Sequence, residues 1–150
     1  MKSISITKSE VLYEIVTLHQ VPDGYYVSGK PKFIIENFSN NQDVIDKIKF
    51  CLNSSQKNYK SNNDEDTKKE NENFRKEVVK KSGYKTYNKF SENSKYIIIN
   101  QEKKCFKINI YYYDLKKKAY FFDKSKEIIE LHIKVDDNTF FEVITHLLTK

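Results

Sequence analysis

The chain has few of the residues on which many ligand-binding and scaffold motifs depend. Its 150 residues include three glycines, two prolines, two cysteines and no tryptophan. Three isolated glycines argue against the glycine-rich loops that hold nucleotide phosphates in several large fold classes. Cys51 and Cys105 are too few for a disulfide framework, and both fall in segments with apolar periodicity. We therefore expect buried free thiols in a protein of a reducing compartment.

Long apolar segments are also missing. No run approaches the roughly 18 residues that a membrane-spanning helix needs. The first residues, MKSISITKSEVLYEIV, contain neither an apolar signal core nor a small-residue cleavage site. These absences predict a soluble, cytoplasmic protein with no membrane partner. At this length we expect one domain over residues 1–150, whose core needs neither metal nor disulfide.

Residues that could form a catalytic or metal site are few and scattered. The histidines, His19, His132 and His146, lie far apart in sequence and lack the spacing of a zinc motif. A pair of Cys105 with one of them has no local support. The EKK tripeptide at 102–104 resembles part of a nuclease motif, but Glu and Lys are abundant and the segment is predicted to be a turn. We therefore predict that the protein is not an enzyme and has no catalytic residues, metal or cofactor.

The net charge of +6 arises from 27 basic and 21 acidic residues. Most of the excess lies in residues 83–150, which hold thirteen basic and nine acidic residues. A basic protein is a candidate for nucleic-acid binding. Arg75 is the only arginine, however, and arginine is preferred for reading base edges and clamping phosphates. The abundance of Lys, Asn, Ile and Tyr is also typical of an AT-rich genome, so part of the charge has a compositional explanation.

Apolar periodicity divides each half of the chain into strands followed by a helix. In the N-terminal half it predicts strands at 11–18, at 25–27 and within KFIIEN, then an amphipathic helix with an Asn or Ser cap. The apolar positions of that helix are Val44, Ile45, Ile48, Cys51 and Leu52. The C-terminal half has one or two helical turns in YKTYNKFSEN, strands in KYIIIN, CFKINIYYY, AYFF and EIIELHI, and a final helix. Its apolar positions are Phe140, Phe141, Ile144, Leu147 and Leu148.

These two helices share the same apolar spacing, i, i+1, i+4, i+7 and i+8. The pattern predicts an α+β fold of two quasi-repeated antiparallel β units, residues 1–53 and 83–150, each closed by an amphipathic helix. Chance is the alternative, because amphipathic helices share a period. Residues from about 54 to 73 have almost no apolar side chain and are expected to form a mobile polar linker. A short helix should follow, with Phe74, Val78 and Val79 on one face and Gly83 at its end.

The segment INIYYYDLKKKAYFF is the most unusual surface that the sequence predicts. Strand alternation places two of its tyrosines opposite Tyr112, and three lysines follow at a hairpin turn. One interpretation is a solvated basic turn beside amphipathic tyrosines. The other is a binding face, because tyrosine is enriched at protein interfaces and can also stack on single-stranded nucleic acid. The predicted partner-binding residues are Tyr111, Tyr113, Lys116, Lys117 and Lys118.

Several segments together suggest a family. They are GYKTYNKFSENSKYIIINQEKKCFKINIYYYDLKKKAYFF, then IIELHIKVDDNTFFEVITHLL, with a similar strand, loop and helix at 33–52. Residues 84–90, 95–100, 104–113 and 128–148 resemble elements of a family of bacterial immunity proteins from contact-dependent growth inhibition systems. The chain departs from that family at VDDNTFFEV, where members often have Ser-Pro-Glu-Glu-Leu-Gly.

This resemblance implies an inhibitor that acts by tight binding. The implied partner is the C-terminal domain of a cognate toxin, commonly a nuclease, delivered by a neighbouring bacterium. Toxin-binding residues vary between family members, so the resemblance assigns no site residue and the hairpin residues stay the candidates. An exposed sheet edge that accepts a strand from the toxin is a further route to binding. The rival function is a small basic nucleic-acid-binding accessory protein that uses the same hairpin.

Overall fold

A computed structural model describes residues 1–36, 41–60 and 65–149, and these residues form an α+β fold, as predicted. The elements in chain order are β1 Lys2–Lys8, β2 Leu12–Gln20, β3 Tyr26–Glu36, α1 Asn41–Ser54, α2 Glu65–Ser82, α3 Tyr87–Glu92, β4 Lys95–Gln101, β5 Cys105–Asp114, β6 Ala119–Phe122, β7 Ile129–His132 and α4 Asp137–Leu148. None of these helices has both the length and the apolarity that crossing a bilayer requires.

The seven strands of the described chain form one open antiparallel sheet. Its order is β3-β2-β1-β4-β5-β6, and β7 pairs with the first half of β5. β1 lies at the centre, antiparallel to both β2 and β4. Apolar periodicity did not predict a strand at 2–8, and this strand joins the two halves. The two predicted β units are therefore not separate, because they share one sheet, and their quasi-repeat stays a prediction.

One face of the sheet carries the main apolar core. Its centre is built from cross-strand isoleucine pairs, Ile4 opposite Ile99 and Ile6 opposite Ile97, which are almost completely buried. Helices α1 and α4 cover this face with the apolar positions that periodicity predicted. The buried ones are Val44, Ile45, Ile48, Cys51, Leu52, Phe140, Phe141, Ile144 and Leu148, and Leu147 is partly buried. The cap expected for α1 lies outside the described residues.

The opposite face of the sheet is more polar and is covered by α2 and α3. β1 presents the buried hydroxyl residues Ser3, Ser5 and Thr7, which alternate with its core isoleucines. Phe90 of α3 is completely buried in a small apolar cluster with Leu12 of β2 and Val78 of α2. Because this cluster fills only part of the face, polar side chains between the sheet and the two helices are left to line a cavity.

Helix α2 occupies much of the segment that was expected to be a mobile linker. Residues 65–73 form its first half, and residues 61–64 lie outside the described residues. The physical reason is tertiary: Val78 anchors the helix, and Glu70 binds Lys30 of β3 through an ion pair of 2.8 Å. A helix that is polar on most sides can be stable when one stripe packs against the rest of the protein.

Candidate functional site

The β5–β6 hairpin carries the predicted partner-binding residues to one end of the sheet. Asp114 organises its turn: one carboxylate oxygen accepts the backbone N–H groups of Lys116 and Lys117, each at 2.9 Å. The carbonyl of Asp114 accepts the N–H of Lys118 at 2.8 Å. The turn is therefore tied to the end of β5, and it exposes the side chain of Leu115, which is 63% accessible.

Tyr111 and Tyr113 lie on the α3 side of the sheet, opposite Tyr112, as alternation predicted. The ring of Tyr111 meets Tyr96 edge-on, with 5.4 Å between centroids, and that of Tyr113 meets Tyr120 at 5.2 Å. Burial raises the pKa of Tyr111. Tyr112, on the other side, is 48% exposed. Two of the predicted anchors are thus partly buried packing residues, and Tyr112 has the more accessible ring.

The lysines of the turn are divided between the two sides of the hairpin. The Lys117 ammonium lies 4.9 Å from the centroid of Phe121, whose ring is 6.3 Å from that of Tyr112. Lys118 lines a cavity on the α3 side instead. The side away from α3 therefore combines the rings of Tyr112 and Phe121 with Lys117, and the exposed Leu115 and Lys116 lie in the adjoining turn. We call it the hairpin surface, formed by Tyr112, Leu115, Lys116, Lys117 and Phe121.

A cavity of about 310 Å³ lies on the polar face of the sheet, beside α2 and α3. Four tyrosines line it, Tyr87, Tyr96, Tyr113 and Tyr120, and we call it the tyrosine pocket. The rings of Tyr96 and Tyr120 are stacked, with 4.3 Å between centroids. Sequence reasoning missed this pocket because its residues come from both halves of the chain and meet only once β1 joins β2 to β4.

The carboxyl group of Glu14 lines the tyrosine pocket and is only 5% exposed. The hydroxyl of Tyr87 donates to it, with oxygen–oxygen distances of 2.7 and 2.9 Å, and that of Thr7 donates at 3.4 Å. Burial raises the pKa of Glu14, although the Tyr87 hydrogen bond and the charges of Lys32 and Arg75 oppose this effect. Burial also raises the pKa of Tyr87. The pocket therefore holds a carboxyl group that keeps its proton more readily than an exposed one.

A wider groove of about 860 Å³ lies between β3 and α2. β3 is an outer strand of the sheet. Lys32 of β3 donates to the amide oxygen of Asn71 at 2.7 Å, which ties the strand to the helix across the groove. The basic side chains of the groove, Lys30 and Lys32, come from β3, and its acidic ones, Asp66, Glu70 and Glu77, come from α2. Within the described ranges no three His, Cys, Asp or Glu side chains come close enough to hold a metal ion.

No protein-family description matches the sequence, and no curated protein matches it significantly. Solved structures share the fold. A protein of unknown function from Neisseria meningitidis has a TM-score of 0.78 at 15% identity, covering 99% of this chain and 93% of that one. A chain of the CdiA-CT/CdiI toxin and immunity complex from Yersinia pseudotuberculosis has a TM-score of 0.72 at 11% identity, covering 97% of this chain and 94% of that one. At such identities the likeness shows a common fold.

Proposed function

We propose that the protein is an immunity protein that binds and neutralises a cognate toxin of a contact-dependent growth inhibition system. The observation that carries the proposal is the fold shared, over 97% of the chain, with a chain of a toxin and immunity complex. The sequence resemblance at 84–90, 95–100, 104–113 and 128–148 implies the same kind of partner. A nuclease is the toxin class that the resemblance favours, and the inhibitor acts by binding, without a reaction of its own.

We further propose the hairpin surface as the docking site. Interfaces gain most of their energy from a few aromatic or apolar anchors within a polar rim. Leu115 and Tyr112 supply accessible apolar area on a turn that Asp114 holds in shape, and Lys116 and Lys117 supply a cationic rim. Of the anchors predicted from sequence, Tyr111, Tyr113 and Lys118 then act by supporting the hairpin from its other side. Such a surface favours a toxin whose docking face is acidic.

The test first looks for a gene immediately upstream that encodes a large secreted protein, and it takes the C-terminal domain of that protein as the candidate toxin. Co-expression of the chain should restore growth of cells that express that domain, and the two proteins should form a stable complex. Lys116→Glu with Lys117→Glu should weaken the complex at least about tenfold, because the rim becomes repulsive. Lys103→Glu with Lys104→Glu is the matched control, since these exposed lysines lie in the turn at the other end of β5.

The outcomes separate the proposed function from the proposed surface. Growth arrest in the presence of the wild-type chain, with no complex formed, would contradict the immunity function. A complex that forms normally and is weakened equally by both lysine pairs, or by neither, would leave the function intact and refute the hairpin surface as its docking site.

A second candidate is a small basic nucleic-acid-binding accessory protein. The observation that favours it is the same turn, where Lys117 lies beside the ring of Phe121 and next to the exposed ring of Tyr112. Cationic side chains next to stacking rings are the usual platform for single-stranded nucleic acid. The two candidates differ in how binding responds to salt.

A further inference from the structure

The tyrosine pocket contains more positive than negative charge. Glu14 is its acidic side chain, whereas Lys32, Arg75 and Lys118 are basic. Among the described residues, none of these three cations forms an ion pair. Elsewhere on the surface lysines do pair with carboxylates, as Lys30 does. Lys32 and Arg75 share the charge of one buried carboxyl group, that of Glu14, so the pocket keeps a positive excess that an anion from outside can offset.

Aromatic rings and an amide hold two of these cations in place. The guanidinium of Arg75 lies 4.8 Å from the centroid of Tyr87, and the ammonium of Lys32 lies 5.4 Å from that of Phe74. Burial lowers the pKa of Lys32, while the negative charge of Glu14 opposes that shift. A partly buried ammonium that has lost water gains most from an anionic oxygen at hydrogen-bond distance.

The pocket also offers a hydrogen-bond donor that has no acceptor. The hydroxyl of Tyr113 is buried, and no partner for it is present in the described structure. A buried hydroxyl without a partner costs free energy, so groups of this kind are usually satisfied by protein, water or ligand. Tyr113 lines the same cavity as the two cations, but it lies on β5 and Lys32 on β3, so its hydroxyl can serve a different polar group of the same ligand.

We propose that the tyrosine pocket is a binding site for a small organic oxyanion, in which a phosphate or carboxylate group is attached to a flat ring. Its anionic oxygens would lie beside Lys32 and Arg75, its body against the stacked rings of Tyr96 and Tyr120, and a second polar group near the hydroxyl of Tyr113. A volume of about 310 Å³ is at the small end of ligand pockets and suits a molecule no larger than a nucleoside monophosphate. This site does not depend on the immunity function.

Glu14 gives the site a pH dependence whose direction follows from charge. Ionised Glu14 repels an anion in the pocket, and its protonation removes that repulsion, so the oxyanion should bind more tightly as pH falls. The groups that face Glu14 from the neighbouring elements are Thr7, Lys32, Arg75, Tyr87, Tyr96 and Tyr120.

The experiment is an NMR titration of the isotope-labelled chain with sulfate, inorganic phosphate, adenosine monophosphate and benzoate. We expect saturable shifts centred on the pocket, with millimolar or tighter dissociation constants. Arg75→Gln should weaken binding of every probe by about fivefold or more, because it removes a contact with the anion. Tyr113→Phe should weaken binding of adenosine monophosphate by about twofold to fivefold, because it removes a contact with the second polar group. The matched controls are Lys76→Gln, an exposed neighbour on α2, and Tyr25→Phe, an exposed tyrosine that precedes β3. Both should bind as the wild type does.

Sulfate keeps its charge between about pH 5 and 8 and therefore isolates the protein's contribution. Its affinity should rise as pH falls in the wild type and should not change with pH in Glu14→Gln. Tighter binding of the aromatic probes than of the bare anions would support the role of the tyrosine rings. The proposal is overturned if no probe gives saturable shifts at the pocket, or if Arg75→Gln and Lys76→Gln reduce affinity equally, which indicates diffuse surface binding.

Discussion

Glu14 shows how the position of one side chain gives the folded state a pH response. It lies in a strand between buried neighbours, and its hydrogen bonds from Tyr87 and Thr7 only partly replace the water that it has lost. Burial raises the pKa of Glu14 in the folded state above that of the unfolded chain. The folded protein therefore binds this proton more tightly than the unfolded chain does.

Proton binding by Glu14 therefore stabilises the folded protein. This contribution is complete at pH values below the pKa of Glu14 in the unfolded chain, and it is lost as the pH rises through the pKa of Glu14 in the folded protein. Glu14→Gln keeps an acceptor for Tyr87 and cannot ionise. We predict that the free energy of unfolding of Glu14→Gln, relative to the wild type, increases between about pH 4 and pH 8. Urea unfolding of both proteins across this range measures it, with Glu72→Gln on the exposed side of α2 as control. If the difference in the free energy of unfolding between Glu14→Gln and the wild type does not change with pH, the pKa of Glu14 is the same in the folded and unfolded chains and the prediction is wrong.

Alternation of side chains was sufficient to place single residues on a face. It correctly separated Tyr111 and Tyr113 from Tyr112 because a strand has a period of two whatever its neighbours are. It could not show that Tyr96 and Tyr120 lie beside them, since those contacts depend on the register of β4, β5 and β6. A glutamate within VLYEIVTL was a usable signal for a buried polar site, and the other members of the pocket gave none.

At the scale of elements, the amphipathic helices were predictable and two other elements were not. Strand β1 has the sequence KSISITK, whose alternation is regular but whose large apolar side chains are only Ile4 and Ile6. Helix α2 has a low apolar content, since most of its side chains are exposed, and its first half contacts β3 through Asn71 and Glu70. Its end was predictable: Gly83 has φ of +81° and donates its N–H to the carbonyl of Val79 at 3.1 Å.

The order of α2 should depend on its small apolar contact with the sheet. Val78 is completely buried, whereas the adjacent Val79 is only partly so. We predict that Val78→Ala lowers the free energy of unfolding by about 1.5–2.5 kcal/mol and Val79→Ala by less than about 1 kcal/mol. Both changes alter helix propensity equally, so their difference reports the packing. Chemical denaturation measures the loss of stability. Amide exchange should also become faster throughout α2 in Val78→Ala. Equal effects of the two changes would show that Val78 does not anchor the helix.

At the scale of the molecule, the class of fold followed from sequence and the joining of its halves did not. Apolar periodicity in the two halves predicted the helices that cover the core. It also predicted most of the strands of the sheet. The central pairing of β1 with β4 connects residues about ninety positions apart, for example Ile4 with Ile99. No local pattern encodes such a pairing, and with it came both the single sheet and the tyrosine pocket that its polar face supports.

The charge of the whole chain gives the prediction that separates the two candidate functions. An excess of six positive charges attracts any nucleic acid at low salt, so weak retention there supports neither candidate. For an immunity protein, binding of single-stranded RNA or DNA should be lost between about 50 and 200 mM salt, whereas the toxin complex should persist because its apolar anchors do not depend on counterion release. Fluorescence anisotropy with labelled oligonucleotides, in parallel with toxin binding over the same salt range, measures both. Oligonucleotide binding that remains tight at about 200 mM salt, and that is abolished by Lys116→Gln with Lys117→Gln, would favour the nucleic-acid accessory protein instead.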